Sequence, residues 1–209
     1  MHKLAKTAVL IYFSIAGSQA HIITMQVFDQ VGASMKVLQR AEDEASLVLQ
    51  RSGDLQIEWL NCNAALEACL GELRSNELVL LLRAEASGKY AEGGQAIVDS
   101  AHTGKYASIY YNWVLREAQI GNFDPARLVG YVIAHEVGHL LGLPHSRGGV
   151  MAAQWKLREL QLVDMGWLRF EESEYRQMRT EIATRLQIST QANLPSGPSI
   201  TEPVSFCQH

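Results

Sequence analysis

Three histidines, His135, His139 and His145, are spaced as a helix that stops abruptly would bring them together, and this spacing constrains the chain more than any other feature. The segment reads H-E-x-x-H-x-x-G-x-x-H, from His135-Glu136 to Pro144-His145, with Met151 close behind. On a helix, residues four apart lie one above the other, so the imidazoles of His135 and His139 can reach a single metal ion. Glu136, beside the first histidine, can then face a water on that ion. Gly142 is free to take a positive φ, which lets the chain leave the helix and bring His145 back as a third ligand. Three imidazoles leave one tetrahedral position open, the mark of a catalytic rather than a structural zinc site. A lone helical histidine is usually a packed or surface residue, and Met151 alone would read as a core methionine. Five specified residues at fixed offsets read instead as one zinc site.

These residues resemble the zinc site of the metzincins, zinc endopeptidases with a Met-turn beneath the metal. Among metzincins the segment is most similar to the matrixins, through Ser146 directly after the third histidine and the run Gly149-Val150-Met151. The resemblance implies zinc ligands at His135, His139 and His145, a general base at Glu136, and a Met-turn at Met151 forming a hydrophobic floor without binding zinc. The sequence departs from the matrixin pattern at two places. The stretch from His145 to Met151 is shorter than the usual linker, and Ala152-Ala153-Gln154-Trp155 replaces the proline and tyrosine that often follow the Met-turn. In metzincins this stretch walls the pocket for the residue following the scissile bond, which makes Trp155 a candidate specificity residue. No matrixin-type cysteine-switch propeptide is visible.

The first twenty residues read as an export signal: Lys3 and Lys6 precede an apolar run from Ala8 to Ala16, and Ser18-Gln19-Ala20 offers a small-residue cleavage site. The apolar run is shorter than the roughly 20 residues a transmembrane anchor needs. The expected destination is the periplasm or the extracellular space. The formal net charge of the whole chain is −4, and loss of the two lysines makes the remainder more acidic. Neither nucleic acid nor an anionic membrane is favoured as a partner by that balance. Calcium and oligomeric state are left open. Cys62 and Cys69 flank a short loop and are expected to form a disulfide in an oxidising compartment. Cys207 is left over in a polar tail.

The 209 residues divide into the signal at 1–20, one catalytic domain at 21–187 and a tail from 188 to 209 rich in Ser, Thr, Pro and Gln, expected to lack fixed structure. Within the domain, strands are expected at 22–28, 55–60, 77–83, 95–99 and 105–113, the third buried on both faces. A helix capped by Ser34 and ending near Gly53 follows the first strand, since Val37, Leu38, Ala41, Ala45, Val48 and Leu49 recur at helical spacing. Asp124-Pro125 should cap and start the active-site helix, which is expected to reach Leu141. Further helices are expected around 154–164 and 171–186. The predicted class is α+β, and the order β-α-β-β-β-β-α resembles the metzincin (zincin) fold. That resemblance implies a mixed, twisted five-stranded sheet with an antiparallel edge strand, followed by C-terminal helices.

The function this implies is hydrolysis of peptide bonds by a zinc-activated water, with Glu136 as general base. A protein or peptide substrate would lie extended and add a strand to the sheet edge, which the resemblance places at Gly94, Gln95, Ala96, Ile97 and Val98. Gly93-Gly94 reads equally as an ordinary turn into a strand. Tyr110, Tyr111 and Trp155 are candidates to line the cleft, although aromatic residues at strand spacing are more often core. Two rivals stand beside this reading: a zinc-binding or peptide-binding module without proteolysis, and a zinc hydrolase of a non-protein amide. The intact Glu136 argues against the first.

Overall fold

A computed structural model describes residues 21–51, 55–85, 93–100 and 103–192. The signal sequence, Gly53, Cys207 and the tail beyond Ala192 lie outside the described residues.

Strand β1 (His21–Asp29) is followed by helix α1 (Met35–Gln50) and strand β2 (Leu55–Asn61). After a 3-10 turn at Leu66–Cys69 come β3 (Glu77–Arg83), β4 (Gly94–Val98) and β5 (Gly104–Tyr110). Helices α2 (Tyr111–Gly121), α3 (Pro125–Leu140), α4 (Leu157–Asp164) and α5 (Glu172–Ala192) complete the chain. The sheet order is β2-β1-β3-β5-β4. All neighbours are parallel except β4, which runs antiparallel to β5 at the edge. The expected mixed five-stranded sheet with an antiparallel edge strand is therefore present.

Burial follows the strand period. Leu78, Leu80 and Leu82 of β3 are fully buried on one face, and Val79 on the other is only 5% exposed, so both faces of this strand are covered. Helix α1 buries Leu38, Ala41, Ala45, Val48 and Leu49. It crosses α3 at Gly130, where a Cβ would come within 2.6 Å of the Ala41 carbonyl oxygen, so only glycine permits this approach. Ser34 occupies the N-cap position of α1, but its hydroxyl makes no capping bond. The turn before it is held instead by Asp29, whose carboxylate accepts from Val31 N and Ala33 N.

The disulfide between Cys62 and Cys69 is formed, with a Cα–Cα distance of 5.8 Å. Cys62 is fully buried, so the bridge ties the exposed 63–69 loop to the end of β2.

Two expectations are corrected. The fifth strand ends at Tyr110, and Tyr111 to Trp113, expected as strand, open helix α2. Tyr111, Val114 and Ala118 are its buried face, at helical rather than alternate spacing. Tyr110 at the N-cap makes no side-chain capping bond, so strand passes into helix with no glycine, proline or capping residue to mark the change. At the other end, α5 continues to Ala192, past the expected boundary at 188. Among the described residues no helix is long and apolar enough to cross a membrane.

Candidate metal centre and cleft

Helix α3 starts where Asp124-Pro125 predicts. The Asp124 carboxylate accepts from Ala126 N at 3.0 Å and Arg127 N at 3.4 Å, satisfying donors that the first turn leaves open, and Arg40 pairs with the same carboxylate. These contacts hold the Asp124 carboxyl below its usual range against the opposing effect of burial, which is the largest single influence. The helix ends in a Schellman-type turn. Leu143 N donates to Gly138 O at 3.0 Å, and Gly142 takes φ +89°. The chain then doubles back, and His145 arrives over the last turn of α3.

The three imidazoles converge. Nε2 of His139 lies 3.1 Å from Nε2 of His135 and 3.2 Å from Nε2 of His145. One nitrogen from each of the three lies within 4.8 Å of the others. Two nitrogens bound at about 2.0–2.1 Å around a tetrahedral ion stand roughly 3.3 Å apart, which is the spacing His139 shows to each of the other two. Tautomers agree. Nδ1 of His135 lies 2.7 Å from the Val150 carbonyl and Nδ1 of His139 lies 2.7 Å from the Leu143 carbonyl. A carbonyl can only accept, so each Nδ1 carries the proton and each Nε2 presents a lone pair to the centre. Burial pushes the His135 imidazole down to about 4, with the neighbouring histidines adding to the effect and the Val150 carbonyl opposing it. His139 is lowered for the same leading reason. Neutral imidazoles at physiological pH are what a divalent ion requires.

Met151 is fully buried, one residue beyond the Val150 carbonyl that His135 meets. A Cβ on Gly138 would stand 2.5 Å from the Met151 sulfur, so the glycine inside the helical motif makes room for the methionine side chain. The short 145–151 segment closes through Ser146 N donating to Met151 O at 2.8 Å. Its turn passes through Gly149 at φ +71°, where a side chain would strike the Arg169 carbonyl at 2.5 Å.

Glu136 is buried and lines the same cleft as the histidines, a cavity of about 600 Å³. Across from it runs β4. Gly94, Gln95, Ala96 and Val98 border the cleft, while Ile97 points away and is exposed. Gly94 is more than a turn into the strand: a Cβ there would lie 2.7 Å from both Cγ and Oε1 of Glu136. The lower wall is Ala152, Ala153, Gln154 and Trp155. Trp155 donates from Nε1 to the Val150 carbonyl at 3.2 Å, the oxygen that also orients His135, and its ring meets the His135 ring edge-on at 5.8 Å. It thus lines the cleft and buttresses a histidine of the cluster.

Tyr110 and Tyr111, considered as cleft residues, are buried away from it; the Tyr110 hydroxyl donates to Gln95 Oε1 at 3.1 Å. The places on the wall go instead to Trp113 and Glu117 of α2, Leu128 and Val132 of α3, and Leu160 of α4. Leu128, Val132, His135, Glu136 and His139 share one face of α3, a stripe that the helical period would have exposed. Trp113 and Glu117 stand one turn apart on α2, whose first turn has the β propensity of a strand.

No family model matches the chain, and no curated protein matches it. Solved structures do. Archaemetzincin from Methanopyrus kandleri superposes with a TM-score of 0.50 at 21% identity, covering 82% of this chain and 99% of that one. Metalloproteinase-II from Bacteroides fragilis gives a TM-score of 0.52 at 12% identity over 79% of this chain, which spans about half, 55%, of that protein's length. At these identities the likeness is one of architecture: a mixed sheet and helices arranged as in these two proteins.

Proposed function

We propose that the chain is an exported, zinc-dependent endopeptidase of metzincin type, in which Glu136 is the general base. The observation that carries this reading is the meeting, in one cleft, of three imidazoles gathered as a metal site needs, a buried carboxylate and an edge strand. His135, His139 and His145 would hold the ion. Zinc bound there would supply Lewis acidity, acidifying a water and polarising a peptide carbonyl. Glu136 takes the proton from the attacking water and delivers it to the departing amide nitrogen, one carboxylate acting as base and then acid. Gly94 leaves that carboxylate its space. Beyond Gly94, β4 pairs with β5 alone among the described strands, so its other edge can receive an extended peptide as an added strand. Val150 O and Leu143 O hold His135 and His139 in register throughout.

Export rests on the leader at 1–20 and is supported by the Cys62–Cys69 bridge, which persists in oxidising compartments. The matrixin-like part of the reading rests on Ser146 and Gly149-Val150-Met151 alone. The test is incubation of the purified mature chain with a complex proteome, reading new peptide termini by mass spectrometry, with Glu136→Ala as the control. New termini that appear only with the wild type are expected. Peptide capture without cleavage would make the chain a binding module, and turnover of non-protein amides alone would make it a different hydrolase.

A further inference from the structure

The cleft extends past the histidines and Glu136 into a side pocket, and the chemistry of its walls names a class of side chain. Along α3, Val132 lies one turn and Leu128 two turns before Glu136, about 6 and 12 Å along the helix axis. Trp113 of α2 stands beside Val132. A Cβ on Gly93 would be 3.0 Å from the Trp113 ring and 3.2 Å from a Val132 methyl. Glu117 is one turn further along α2, toward the 122–124 connection that leads into the start of α3, and so toward the Leu128 end. The pocket therefore opens at the metal centre, runs past Val132 and the Trp113 ring, and reaches Glu117.

Its walls are apolar, and its charge has one sign. Among the described residues lining the cleft, the only ionisable groups besides the three histidines and Glu136 are the Glu117 carboxylate and nothing basic. Glu117 is half-buried, and its side chain has no hydrogen bond or ion pair within the described residues. An apolar passage ending at a carboxylate with no partner among the described residues suits a side chain with a hydrocarbon stem and a cationic tip.

Resting on the peptidase reading above, we propose that Glu117 selects a lysine or arginine at one of the two positions flanking the scissile bond. The stem lies along the wall made by Trp113 and Val132 while the cation pairs with the Glu117 carboxylate. Glu117 has no part in the chemical step.

The experiment compares kcat/KM for peptides that carry lysine or its uncharged isostere norleucine at each flanking position in turn, using the full mature chain loaded with zinc. The wild type should prefer lysine at one position by about tenfold or more, the range expected of a charge-assisted pair. In Glu117→Gln that ratio should collapse toward one, and in Glu117→Lys glutamate should be preferred over lysine at the same position. Independently of any variant, the wild-type ratio should fall as salt is raised, because a partly exposed pair is screened. Cleavage with no basic preference at either position, or a preference that survives Glu117→Gln, overturns the assignment while leaving the peptidase reading intact. A zinc-loaded wild type that cleaves no peptide overturns the peptidase reading and this one with it.

Discussion

Gly94→Ala tests the packing of strand β4 against Glu136. The added methyl would stand 2.7 Å from Glu136 Cγ and Oε1 and 2.9 Å from Cδ. Comfortable contact between carbon atoms begins near 3.5 Å, so the carboxylate must withdraw by roughly 0.8 Å or the strand must lift by as much. General-base catalysis needs hydrogen-bond reach, and a misplacement of about 1 Å costs on the order of 100-fold. We therefore expect kcat to fall by about 10- to 100-fold, or roughly 1.4–2.7 kcal/mol of transition-state stabilisation. Gly94 does not have a positive φ, so alanine adds no backbone strain and the fold should persist. The assay is steady-state kinetics on a peptide substrate, alongside metal content and a thermal melt of the same preparation. Gly93→Ala is the control: its methyl would crowd Trp113 and Val132 rather than Glu136, so it should raise KM before it lowers kcat. An unchanged kcat in folded, metal-loaded Gly94→Ala would refute the argument that this glycine exists to accommodate the base. Loss of metal would move the effect to the histidines.

Two further predictions concern stability. Reducing the Cys62–Cys69 bridge should cost about 2–3 kcal/mol, the chain-entropy value for so short a loop, read as a shift in the denaturation midpoint with and without reductant; an unmoved midpoint would contradict it. Half-buried Glu42 is pushed up to about 7, by burial first and Asp43 second. Its unfolded form ionises at lower pH than its folded form, so stability is lost as pH rises from about 4.5 to 7. After discounting for partial exposure, Glu42→Gln should stabilise the protein by about 1 kcal/mol at pH 8 and by nothing at pH 4. Equal effects at the two pH values would rule out titration as the cause.

The parts legible in the sequence are those where one local rule acts alone. Asp124-Pro125 began α3 because a cap and a first-turn proline need no tertiary help, and Gly142 ended it because few other residues take that φ. Spacing alone brought His135, His139 and His145 together. Helix α2 escaped because Tyr110, Tyr111 and Trp113 have β propensity, while the helical pairing of Val114 and Ala118 draws its force from packing against the rest of the molecule. Missing that helix hid Trp113 and Glu117 from the cleft. Trp155 was legible as a cleft residue, but its bond to the Val150 carbonyl depends on where the Met-turn folds, which spacing does not reveal. Gly94 was ambiguous for the same reason: a glycine entering a strand looks like a turn until the carboxylate opposite it is known.

The central claim is that His135, His139 and His145 form one metal site. Elemental analysis of the purified mature chain beside His145→Ala tests it most directly. One zinc per wild-type chain and little or none in the variant is the expected result, because two helical imidazoles alone hold the ion far less tightly than three. Full zinc occupancy in His145→Ala, or a wild type that takes up no divalent ion, would contradict it.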